Sequence, residues 1–249
     1  MFRSKPKLPV TTEQQAWLEQ SFQLLTELFG VAWLREAPVV LPNKEFFPRE
    51  WEPTEEWAEF AFHGVRELMH VPAGRAELIF LDDPVAELRK SGMYVKQERH
   101  AAGTYREIQT GDATPLAEIA IKYSLVNEPD QMVAVMAHEM AHVLLLGGGK
   151  IKRDLDRMEP LTDLMTVFSG FGILNANTSH IHRSGPRGWS VSSGGYLTER
   201  EYAYSLALFA WARRETAPAW DKELTKNVRT FMRETLAHFR VSKRDFEGQ

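Results

Sequence analysis

Hydrophobic positions in this chain recur at helical spacing in some stretches and alternate in others, and the changes of period mark out its elements. In TTEQQAWLEQSFQLLTELFG, Leu18, Phe22, Leu25 and Phe29 fall on one helical face. Thr11 or Thr12, with Gln14 or Gln15 three residues on, forms a capping box, and Gly30 is a natural stop. PVVL (38–41) predicts a short strand, and three prolines within 42–53 predict a loop. Thr54 caps a second helix, EEWAEFAFHGVRELM, which ends near Pro72. AELIFLD (76–82) reads as a strand, while residues 83–98 carry no clear period.

HAAGTYREI (100–108) and AEIAIKYSL (117–125) read as two strands of a hairpin-like pair joined by QTGDATPL. In the second, Ile119, Ile121 and Tyr123 point one way and Glu118, Ala120, Lys122 and Ser124 the other. A helix then starts at Asn127, Glu128 and Pro129, with Asn127 as cap and the proline in the first turn. It ends at Gly147–Gly149. Beyond the charged link KIKRDLDR, MEPLTDLMTVFSGFGILNAN predicts a helix after Pro160. Residues 175–195 read as a long loop. Thr198 and Glu201 form a capping box for EREYAYSLALFAWARRE, and a last helix runs from about Trp220 to Phe239. This pattern predicts an α+β fold: a small mixed sheet, a central apolar helix and a helical C-terminal half. The expected organisation is a single domain over 1–249, with an α/β part (1–149) and a helical part (150–249).

Composition narrows the function. A net charge of -4 and a pI near 6.1 argue against a nucleic-acid partner, whose site would be basic. The chain has no cysteine, which rules out disulfides and leaves His, Asp and Glu to hold any metal. The basic start MFRSKPKLPVTTEQQ lacks a following apolar run, and ALFAWA (207–212) is far too short to span a bilayer. A cytoplasmic protein without a membrane partner is expected.

The chemistry concentrates in the apolar helix. Within MVAVMAHEMAHVLLLGGG (132–149), His138, Glu139 and His142 interrupt an otherwise oily run. Buried polar groups without partners cost roughly 2–7 kcal/mol each on transfer scales, so these three need compensation. Hydrogen bonds to neighbours are one answer. A metal is the other: residues 138 and 142 lie on one helical face about 6 Å apart along the axis, and Glu139, about 100° round, borders that face. Zinc tolerates nitrogen and carboxylate ligands around one open position. A third ligand six residues after His142 is excluded, because position 148 is Gly. The next candidates are Asp154, Asp156, Glu159 and Asp163. Of these, Glu159 and Asp163 stand out in EPLTD, where Glu159 would ligate while Asp163 accepts the free ring N–H of a liganding histidine. Pro160 directly follows Glu159, which places Glu159 at or before the start of its helix, or at a kink.

HEMAH followed by EPLTD resembles the gluzincin group of thermolysin-like zinc metallopeptidases, and the wording around it looks like small bacterial zincin-like proteins. The likeness covers about residues 117–175. It implies a zincin-like fold, one zinc ion held by His138, His142 and Glu159, Glu139 as general base, and Asp163 as partner of His138. The implied activity is hydrolysis of peptide bonds in a peptide or protein substrate. EIAIKYS is the candidate strand for pairing with extended substrate. Candidate donors to the developing oxyanion are Tyr196, His180 and His182, with Arg183 and Tyr202 behind them; the loop SHIHRSGPRGWSVSSGGY is placed in sequence to cover a cleft. The alternative is a noncatalytic zinc-binding module, regulatory or structural, of the same fold. Glu139 favours catalysis, because a purely structural site needs no base there.

Overall fold

Capping side chains set three of the helix starts. In a computed structural model describing residues 8–81, 103–108, 116–152, 155–185, 188–193 and 196–242, helix α1 (Thr12–Glu36) opens on a full Thr11–Gln14 capping box. Helix α2 (Glu55–Leu68) opens on Thr54, whose hydroxyl accepts from the Trp57 N–H. At Gly30 the helical geometry breaks, as its sequence suggested, and α1 is two helical stretches joined across a kink. Gly30 takes φ 87° and ψ 153°, a geometry open to glycine, and the chain resumes as helix to Glu36. The PVVL segment is no strand. Pro38 has no N–H for a ladder, and Val40 donates instead to the Gly170 carbonyl at 3.0 Å.

The described residues fall into two compact units, 42–153 and 1–41 with 154–249. The first holds α2, strands β1 (Ala76–Leu81), β2 (Gly103–Ile108) and β3 (Leu116–Lys122), and helix α3 (Pro129–Leu146). The strand order is β1-β3-β2: β1 pairs with β3 in parallel, Ala76 opposite Ala117, and β2 pairs antiparallel, Gly103 opposite Ile121. β3 is therefore the centre of the sheet. Both its edges are taken, which removes EIAIKYS as a docking edge. The chain leaves β3 through a 3-10 turn over Tyr123–Asn127, where the Asn127 amide closes on the Ser124 carbonyl, and Glu128 rather than Asn127 takes the cap of α3. Helix α3 packs on α2, β2 and β3. That surround on several sides is why nearly every residue of its run is apolar.

The second unit holds α1, α4 (Met158–Phe168), α5 (Gly172–Thr178), β4 (His180–Gly185), β5 (Gly188–Ser193), α6 (Glu199–Ala212) and α7 (Lys226–Val241). Its core is built by Leu18, Phe22 and Leu25 of α1 with Phe168, Tyr204, Phe209 and Phe239. β4 and β5 form an antiparallel pair, Ile181 opposite Ser192, where the sequence predicted a loop. The final helix starts later than expected, because Ala219–Glu223 is a 3-10 turn ahead of it. The fold class is thus α+β, with a three-stranded mixed sheet. No helix among the described residues is long and apolar enough to cross a membrane.

Candidate metal centre

Glu139 and His142 of helix α3 meet residues of β2, and His138 adjoins His142. His138 is half-buried, and Glu139 and His142 are 5% and 7% exposed. The two imidazoles meet edge to face, centroids 5.0 Å apart at 82°. Alternation along β2 sends residues 103, 105 and 107 to one face. The Tyr105 ring stacks on His142 at 5.8 Å and 22°, and its hydroxyl donates to Glu107 Oε1 at 2.7 Å. Gly103 lies against Glu139: a Cβ there would stand 2.9 Å from Glu139 Oε1 and 2.7 Å from Val135 Cγ1. Sequence reading missed both residues. The glycine was the available signal, since glycine in a strand often marks a close approach.

Glu159 is supplied by α4. That helix begins at Met158, one residue earlier than the proline suggested, so Glu159 lies within its first turn. Pro160 is the third helical residue, and its missing N–H is one of the four that a helix start leaves unpaired anyway. The turn is entered through Arg157, a left-handed residue with φ 62° and ψ 32°. Its guanidinium lies 4.0 Å over the Trp17 ring and 3.8 Å from the buried Glu201 carboxylate. Glu201 in turn accepts from the Thr198 N–H and hydroxyl at the cap of α6. One turn beyond Glu159, Asp163 is 1% exposed, and its Oδ2 accepts the N–H groups of Tyr196 at 2.6 Å and Leu197 at 2.9 Å. Burial, then the charge of Asp163, pushes the Tyr202 phenol well above its ordinary 10.

The ligand atoms of His138, His142 and Glu159 all lie within 4.8 Å of one another. Two imidazoles and one carboxylate are a donor set of the kind zinc takes, and these residues are close enough to hold a metal ion.

The remaining candidates separate. Asp156 is exposed and outside this group, and Asp154 lies outside the described residues. Tyr202 is wholly buried, which removes it as a donor to any substrate. Tyr196 is 56% exposed, with its backbone anchored on Asp163. His180, His182 and Arg183 stand in β4 opposite Ser193, Val191 and Ser190, and their side chains lie outside the described residues. No protein-family model, no curated protein and no solved structure matches the chain.

Proposed function

We propose that this protein is a zinc-dependent metallopeptidase of zincin-like fold. The observation that carries the reading is the grouping of His138, His142 and Glu159 ligand atoms within 4.8 Å, with Glu139 on the same helix as the two histidines. Zinc supplies Lewis acidity there, which activates water and polarises a carbonyl. Glu139 is the base: it takes a proton from the attacking water and delivers it to the leaving amine. Its burial against Gly103 keeps the carboxylate in a water-poor setting where proton transfer is directed. Among the described residues β2 pairs only with β3. Its other edge is the place for an extended peptide to add as a strand, in the role first expected of EIAIKYS. Tyr196 is the candidate donor to the oxyanion, because Asp163 fixes its backbone one helical turn from Glu159.

The test is peptide-library cleavage by the zinc-loaded protein and by Glu139→Gln. Wild type cleaves, and the variant keeps its zinc while losing about 10²–10⁴-fold in rate, the usual contribution of a general base. Zinc-loaded wild type that cleaves no peptide would favour the noncatalytic module instead.

A further inference from the structure

A nitrogen ligand donates through a lone pair lying in the plane of its ring, so a histidine binds well only when that plane is fixed. The His Cβ–Cγ torsion is broad and roughly two-fold, and a helix by itself leaves it free. His142 is confined on two sides. The Tyr105 ring covers one face of its imidazole at 22° and 5.8 Å, and the His138 ring stands across it at 82° and 5.0 Å. Tyr105 is itself held. It sits on β2, which is in register with β3 along its whole length, and its hydroxyl donates to Glu107 at 2.7 Å, two residues on along the same face.

We infer that Tyr105 is a positioning residue for the candidate metal site, a flat wall that sets the plane of the His142 imidazole and therefore the direction of its lone pair. The inference rests on the metal reading above. It depends on the ring and not on the hydroxyl, which only steadies the ring. A side chain of similar bulk without a flat face does not replace it. A wall that pre-sets the ligand lowers the ordering cost of metal binding, an effect of the kind that makes residues behind metal ligands worth 10–100-fold in affinity.

The experiment titrates zinc into the metal-free protein by chelator competition for wild type, Tyr105→Phe, Tyr105→Leu, Tyr105→Ala and His142→Ala. Unfolding curves of the metal-free proteins run alongside, and the visible spectra of the cobalt-loaded forms are recorded. Tyr105→Phe is expected within about threefold of wild type, and Tyr105→Leu and Tyr105→Ala at least roughly 10-fold weaker with an altered cobalt spectrum. The comparison uses the folded fraction of each protein, and Tyr105→Leu covers the case in which alanine prevents folding. Leu or Ala variants that bind zinc as tightly as wild type, with the same cobalt spectrum, overturn the inference, as does a Phe variant as weak as Ala. Wild type binding no better than His142→Ala overturns the metal reading itself, and the inference with it.

Discussion

Replacing Gly103 with alanine probes the wall between β2 and the polar face of α3. The new Cβ would lie 2.7 Å from Val135 Cγ1, 2.9 Å from Glu139 Oε1 and 3.2 Å from Glu139 Cγ. Favourable carbon contacts lie at about 3.5–4.0 Å, so the first two intrude by more than half an ångström. Neither side yields easily. β2 is in register with β3 from Gly103 to Ile108, and α3 is packed on α2, β2 and β3. Overpacking of this kind costs roughly 1–3 kcal/mol. Alanine recovers about 0.4–1 kcal/mol by restricting the unfolded chain, since Gly103 holds no left-handed φ. The net expectation is a loss of about 1–2 kcal/mol, read from urea unfolding of the metal-free protein. Two of the three close contacts belong to Glu139. In a Glu139→Ala background part of the cost therefore disappears, and a double-mutant cycle should return a coupling of about 0.5–1 kcal/mol. A Gly103→Ala variant as stable as wild type, with no coupling to position 139, would refute the close approach on which this geometry rests.

Three further outcomes follow from the second unit. A buried phenol whose pKa is raised in the folded state contributes stability that is intact below pH 10 and lost as pH rises beyond it, at about 1.4 kcal/mol per pH unit. Urea unfolding of wild type between pH 9 and 11 should show this fall, and Tyr202→Phe should flatten it by that slope; equal slopes would contradict the burial beside Asp163. Asp163→Ala orphans the N–H groups of Tyr196 and Leu197, and a loss of about 2–4 kcal/mol is expected in the same assay. Gly170→Ala would set a Cβ 1.8 Å from the Pro38 carbonyl oxygen at φ +89°, and the variant should fail to give a cooperative unfolding transition.

Residue pattern revealed what depends on local chemistry and concealed what depends on pairing. The caps at Thr11, Thr54 and Thr198 were legible because a side-chain oxygen three residues from its donor is a local event. His138, Glu139 and His142 were legible because ionisable groups in an apolar helix require compensation, and Glu159 because it heads the next polar pair. The centrality of β3 was not. Its alternation suggested a strand with one buried face, yet Ala120 carries a small apolar side chain on the other phase and is buried as well. The β4–β5 pair escaped because Ser and Gly make up half of its residues, although the alternation of Trp189 and Val191 with Ser190 and Ser192 is a strand pattern. Gly103 and Tyr105 became neighbours of Glu139 and His142 only once register placed β2 against α3. Nothing within β2 itself names that partner.

The central claim is that two histidines of α3 and Glu159 hold one metal ion, and metal content tests it most directly. After dialysis against zinc and removal of excess, wild type and Glu139→Gln should each retain about one zinc per chain, while His142→Ala and Glu159→Ala retain little or none. Equal zinc in wild type and His142→Ala would contradict the account.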